Sequence, residues 1–159
     1  MRFDEIVKEE FVFVKKNFKS NKETISFLSK QLQEKGFVKE SFLEAVLKRE
    51  KEHPTGLYLG KINVAIPHTD VKYVLKPGIA VATLKEPVAF GKMDEPEKKI
   101  PVHIVFLLAV QDPKGYVKFL AKLTRSFGSN LFISSIYSSE SSEKLKSLLL
   151  EIFKEEGRQ

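Results

Sequence analysis

The sequence predicts an α/β fold, a central mixed sheet of about five strands sandwiched between helices, in a single domain over residues 1–159. Short apolar runs of β-prone residues alternate with segments whose apolar residues recur at helical spacing. One run, residues 102–110, is nearly continuous in apolar residues, as a strand buried on both faces must be. No internal repeat and no low-complexity linker divides the chain.

From the N-terminus, a short helix is expected around residues 4–8, then a first strand at Phe11-Val12-Phe13-Val14. Ser20 and Asn21 carry capping chemistry ahead of Ile25, Leu28 and Leu32, and Gly36 closes this amphipathic helix of about fourteen residues. A second helix starts near Lys39, with Phe42, Ala45, Val46 and Leu47 as its stripe. It stops before Pro54, because the residue before a proline is pushed out of helical dihedrals. A loop spans residues 54–61. Val64-Ala65-Ile66 is a short strand ending at Pro67, and residues 79–84 form another. Residues 85–101 hold Pro87, Gly91 and Pro96 and read as turn-rich. Asp112-Pro113 starts a third helix, with Val117, Leu120, Ala121 and Leu123 apolar and Gly128 near its end. Residues 131–153 read as one or two further helices, with Leu145, Leu148, Leu149, Ile152 and Phe153 on the last apolar face.

Composition narrows the chemistry. There is no cysteine, which excludes disulfides, thiol catalysis and zinc–thiolate sites. No apolar run approaches the roughly 18 to 20 residues that span a bilayer, and the N-terminus lacks a signal-peptide apolar region. A cytoplasmic location is expected. The net charge of +6 is spread over lysines interleaved with glutamates, as in Lys48-Arg49-Glu50-Lys51-Glu52. That mixing describes solvated helix faces and argues against a nucleic-acid partner.

The informative stretch runs from Arg49-Glu50 through Pro54-Thr55-Gly56-Leu57 to Val64-Ala65-Ile66-Pro67-His68-Thr69-Asp70. It is a helix end, a loop, a buried strand, and a histidine just beyond that strand. Residues past the carboxyl ends of sheet strands are where α/β proteins place ligands, and Pro67 fixes the backbone before His68. A neutral imidazole has a nucleophilic nitrogen near pH 7. A transferring phosphoryl group develops negative charge on its oxygens, so its site needs cations and oriented donors more than a strong base. Arg49 offers a planar fork of N–H donors. Thr55 and Thr69 offer hydroxyls, and Asp70 is a candidate either for the pocket or for orienting the imidazole. Lys114 and Tyr116, in the first turn of the third helix, are further candidates, as an ammonium and a hydroxyl donor; the alternative is a solvated Lys114 and a Tyr116 that packs as a first-turn aromatic. Of the other histidines, His53 reads as a solvated loop residue. If the strand opened by His103 runs parallel to the one ending at Ile66, His103 lies about 20 Å from the site at about 3.3 Å per residue; an antiparallel strand reverses that conclusion. No His-x-x-His type spacing is present, so neither a metal nor a cofactor is expected.

These motifs, together with Phe106-Leu107-Leu108-Ala109 before Asp112-Pro113 and the strand leading to Pro87-Val88 and Phe90-Gly91, resemble the enzyme IIA domains of the mannitol–fructose class of sugar phosphotransferase systems, nearest to the galactitol-type subgroup. The resemblance runs from about Val12 to about Phe153. It implies a phosphotransferase relay component without metal. His68 would accept a phosphoryl group on Nε2 from the histidine-phosphocarrier protein and pass it to a cysteine of a IIB component, serving a membrane IIC component, for uptake of a galactitol-like or fructose-like sugar. Arg49 matches the family's active-site arginine. Many mannitol- and fructose-type members carry a second histidine where this chain has Lys114-Gly115-Tyr116. A stand-alone regulatory module, phosphorylated but moving no sugar, is the alternative. Leu57, Tyr58 and Tyr73 are candidates for a small, transient docking face.

Overall fold

The computed structural model describes residues 5–126 and 130–154, without the side chains of residues 130, 131, 153 and 154. The elements are β1 (Val7–Lys16), α1 (Asn21–Glu34), α2 (Phe42–Glu52), β2 (Gly56–Leu57), β3 (Val64–Ala65), β4 (Gly78–Lys92), β5 (Glu95–Ala109), α3 (Pro113–Ser126), α4 (Asn130–Ser138) and α5 (Ser142–Lys154). The expected α/β class is found: five strands form one mixed sheet with helices on both faces.

The spine is a long antiparallel hairpin, β4 against β5, paired from Gly78↔Ala109 to Lys92↔Glu95. β1 lies parallel to the first half of β4, with Val12 opposite Val81. β3 lies parallel to β5, with Val64 opposite Ile104 and Ala65 opposite Val105. β2 pairs antiparallel with β3 and also meets the far end of β4, Gly56 opposite Lys92. Strands β4, β5, β3 and β2 therefore close a circuit of pairings, and the loop before β3 is clamped into it.

Strand alternation sorts the core. Ile79, Val81, Ile104, Phe106 and Leu108 face Phe119, Leu123, Ile136, Leu145 and Leu149 of α3, α4 and α5. Ala80, Ala82, Val105, Leu107 and Ala109 face Ile25, Leu28, Leu32, Phe42 and Val46 of α1 and α2. The expected cap is present: Ser20 Oγ accepts from the Glu23 amide at 3.1 Å. Gly36, at φ +80°, follows the helix as expected.

Three expectations are corrected. Of the helix around residues 4–8, residue 4 lies outside the described residues, and Val7 and Lys8 are already in β1, because Val7 pairs with Ile79 of the sheet. The turn-rich reading of residues 85–101 gives way to two continuous strands, turning only at Met93-Asp94. Pro87 falls in the register shift between Thr83 and Val88, where the ladder is already irregular, while Pro101 still sits opposite Ala89. In α3 the buried stripe is Gly115, Phe119 and Leu123. Val117, two positions from Gly115 and so on the opposite side of the helix, is 63% exposed. The expected stop at Gly128 lies outside the described residues.

Candidate functional site

The site is built where the parallel pair β3–β5 ends. Leu108 N donates to the Pro67 carbonyl at 3.0 Å, so the ladder with β5 runs on to the residue before His68. His68 itself is 8% exposed. Its Nδ1 lies 3.1 Å from the carbonyl oxygen of Ile66. A carbonyl only accepts, so Nδ1 carries the proton and the neutral ring keeps its lone pair on Nε2. Burial lowers the imidazole pKa to about 4; the Ile66 carbonyl offsets part of that shift and the nearby Arg49 charge adds to it. The ring is thus neutral through the physiological range.

One face of the imidazole is covered by Tyr116, with ring centroids 3.5 Å apart at 26°. The first turn of α3 positions this tyrosine. Asp112 caps it, accepting from Lys114 N on Oδ1 at 3.0 Å and from Gly115 N on its carbonyl at 2.8 Å. Burial pushes the Tyr116 phenol up to about 12, so it stays un-ionised.

Arg49 projects from the last turn of α2 and is exposed. It shares two recesses with His68. One, of about 220 Å³, is lined also by Thr69, Asp70, Val71, Pro113 and Tyr116. The other, of about 290 Å³, adds His53, Thr55, Met93 and Pro96. A larger cleft, about 720 Å³ between α1, α2 and the hairpin, does not include His68.

Of the residues singled out from the sequence, Arg49, Thr69, Asp70 and Tyr116 are brought around His68. Asp70 does not orient the ring; its exposed carboxylate accepts from Lys72 N at 3.0 Å and caps the 3₁₀ turn Val71–Tyr73, and the ring's Nδ1 is held by backbone instead. The Thr55 hydroxyl is already used behind the site, donating to Glu50 Oε1 at 2.8 Å and accepting from Ile66 N at 3.1 Å. Lys114 is exposed and lines neither recess, although its neighbour Tyr116 does. His53 is the exposed C-cap of α2 and lies on the rim.

His103 stands at the far end of the parallel pair, as the parallel alternative required: its Nδ1 accepts from Asn63 N at 3.1 Å and its ring meets Tyr137 edge-on. Tyr58 is 61% exposed beneath Lys92 Nζ, 5.8 Å from the ring centre, whereas Leu57 and Tyr73 are half-buried. Sequence reasoning passed over Glu50 as a site residue. The signal was its spacing: Phe42, Val46 and Glu50 stand four apart on one buried stripe of α2.

Among the described residues no cluster of three His, Asp or Glu side chains is placed to hold a metal, and no helix is long and apolar enough to cross a membrane.

Residues 5–152 match the family model described as "Phosphoenolpyruvate-dependent sugar phosphotransferase system, EIIA 2". The mannitol-specific EIICBA component of Buchnera aphidicola is 30% identical over 131 residues, 80% of this chain and 19% of that protein. The transcriptional regulator ManR of Bacillus subtilis is 36% identical over 100 residues, 63% of this chain and 14% of the regulator. The galactitol-specific EIIA component of Escherichia coli K12 is 27% identical over 104 residues, 65% of this chain and 69% of that component. The chain thus spans a fifth or less of the first two relatives. In the complex of enzyme IIAMTL with phosphorylated enzyme IIBMTL from Escherichia coli, the matching chain superposes with a TM-score of 0.75 at 25% identity, over 89% of this chain and 95% of that one.

Proposed function

The chain belongs to the EIIA 2 family of the phosphoenolpyruvate-dependent sugar phosphotransferase system, whose members are phosphotransferase relay components, and on that premise we propose that His68 is the residue that carries the phosphoryl group. The observation that carries this reading is the Nδ1–Ile66 carbonyl bond, which leaves the lone pair on Nε2 of a ring that lines a recess together with Arg49 and Tyr116. Nε2 attacks the phosphorus of a phosphohistidine on the histidine-phosphocarrier protein. The new P–N bond forms as the donor's P–N bond breaks, and the electron pair returns to the donor's nitrogen. In the second half, the thiolate of a IIB cysteine attacks the same phosphorus and the electron pair returns to Nε2. His68 keeps its Nδ1 proton throughout, held by the Ile66 carbonyl.

Arg49 is the cation for the phosphoryl oxygens, and its fork geometry suits two of them at once. Tyr116 shields one face of the ring from water. A IIB component as acceptor is supported by the solved IIAMTL–IIBMTL complex. The sugar is a galactitol-like or fructose-like sugar or sugar alcohol, in keeping with the galactitol- and mannitol-specific relatives. A regulatory use of the same phosphohistidine is a second reading, favoured by the similarity to ManR. The test is phosphotransfer from phosphorylated histidine-phosphocarrier protein, then chase to IIB, with the label mapped. Label on His68 that IIB removes supports the relay. Label that IIB leaves untouched, but that alters binding to a regulatory partner, supports the second reading. No label on His68 overturns both.

A further inference from the structure

A buried carboxylate stands behind the nucleophile. Glu50 is 5% exposed, and both of its oxygens accept from one residue: Oε2 from Thr55 N and Oε1 from Thr55 Oγ1, each at 2.8 Å. A hydroxyl has one proton to give. With that proton committed to Glu50, the Thr55 oxygen turns a lone pair to the N–H of Ile66, at 3.1 Å. The other end of Ile66 is the carbonyl that holds His68 Nδ1. Residue 66 is therefore pinned at its amide by the Glu50–Thr55 pair and reads out at its carbonyl onto the imidazole. The amide and carbonyl of Ile66 belong to different peptide units, so this is a mechanical anchor and not a charge relay.

Close packing holds the anchor in place. A Cβ on Gly56 would meet the Gly91 carbonyl oxygen at 2.5 Å, and a Cβ on Gly91 would meet the Pro54 ring at 2.7 Å. Pro54 and Gly56, the neighbours of Thr55 on either side, are thus packed closely against Gly91 near the end of β4.

We propose that Glu50 is a positioning residue for His68, acting through Thr55 and Ile66 to hold the Nδ1–H tautomer and the ring direction. The inference rests on His68 being the phosphoryl carrier. In the anionic form Glu50 accepts both Thr55 donors. In the protonated form it must donate one hydrogen itself, which competes with the Thr55 hydroxyl and frees the lone pair's direction. Burial raises the Glu50 pKa to about 7, against the pull of the Thr55 donors, Lys99 and Arg49. The other charged groups of the adjoining cleft are Lys22 from α1 and Glu44, Lys48 and Lys51 from α2; the Tyr116 phenol on α3 feels the Glu50 charge. The anchor is accordingly whole above about pH 7 and loosens below it, in a range where His68 itself stays neutral.

Glu50→Gln in the full chain tests this. Relative to the Glu50→Gln variant, the wild-type rate of accepting phosphate is expected to rise between about pH 6 and pH 8, to about tenfold above the variant at pH 8. Dividing variant by wild-type rates removes the donor's own titration. Proton–nitrogen NMR of the His68 ring, which needs no phosphotransfer, is expected to show the Nδ1–H tautomer in the wild type and a mixture in the variant. Thr55→Val is expected to reproduce both effects, and Thr55→Ser, which keeps the hydroxyl, to restore them; this pair decides the matter if Glu50→Gln does not fold. Folded Glu50→Gln or Thr55→Val protein with the wild-type pH profile and tautomer overturns the proposal. A tautomer change without any phosphorylation of His68 would instead overturn the phosphocarrier assignment and leave the anchor standing.

Discussion

Two histidines sit at opposite ends of the same parallel strand pair and meet opposite backbone groups. His68 Nδ1 faces a carbonyl and must donate; His103 Nδ1 faces the Asn63 amide and must accept. The first histidine is left with a lone pair on Nε2, whereas the second has spent its Nδ1 lone pair and carries its proton on Nε2. Burial lowers both pKa values. The two rings are set apart by the identity of the single backbone atom next to Nδ1, together with the stacked Tyr116 on one ring and the edge-on Tyr137 by the other. The carboxyl end of a parallel strand offers its carbonyls to the residues just beyond it, and so prepares that end for an Nδ1–H histidine.

The largest expected effect breaks the comparison outright. His68→Ala abolishes acid-labile labelling, while His103→Ala and His53→Ala, if folded, keep it; label on His68→Ala would dissolve the distinction.

The next effect is on stability. Folding depresses the His68 pKa from 6.5 to about 4, so its contribution is full above 6.5 and is lost as pH falls towards 4. Folding raises the Glu50 pKa from 4.5 to about 7, so its contribution is full below 4.5 and is lost as pH rises towards 7. Each amounts to about 3 kcal/mol, and between 4.5 and 6.5 they oppose one another. Urea unfolding is expected to show level wild-type stability across that window, a fall with rising pH in His68→Gln, and a rise in Glu50→Gln. His103→Gln, lacking a shift of that size, is expected to leave the profile level.

Arg49→Lys keeps the charge but loses the fork, and transfer is expected to slow about ten- to a hundredfold, roughly 1.4 to 2.7 kcal/mol of barrier. An unchanged rate would return Arg49 to the solvent-facing side of α2. The smallest effect belongs to the stack. Tyr116→Ala removes an aromatic pair of about 0.5 to 1.5 kcal/mol and is expected to slow transfer or shorten the phosphohistidine lifetime by a few-fold, with Tyr116→Phe losing less. If both variants match the wild type in stopped-flow transfer and hydrolysis, the ring contact is packing only.

The parts of the fold written in local chemistry were legible in the sequence. Ser20 capping α1, Asp112-Pro113 opening α3 and the continuous apolar run of β5 each depend on neighbours in the chain. The hairpin through residues 85–101 was not, because Pro87, Gly91 and Pro96 each have a turn reading on their own, while the strand reading depends on the cross-strand pairing of Val88 to Lys92 with Glu95 to Val102. Val117 misled because apolar residues at positions 117, 120 and 121 imitate a stripe, while the real one begins at a glycine. In the site, His68 stood out through its place after a strand exit. The Glu50–Thr55–Ile66 anchor did not: each residue has an ordinary local reading, and only folding brings the three together.

Heteronuclear NMR of the phosphorylated protein tests the central claim most directly. Coupling of phosphorus to Nε2 of His68, with the Nδ1 proton still present, is the predicted result. Phosphate on Nδ1 of that ring, or on another residue, would contradict it.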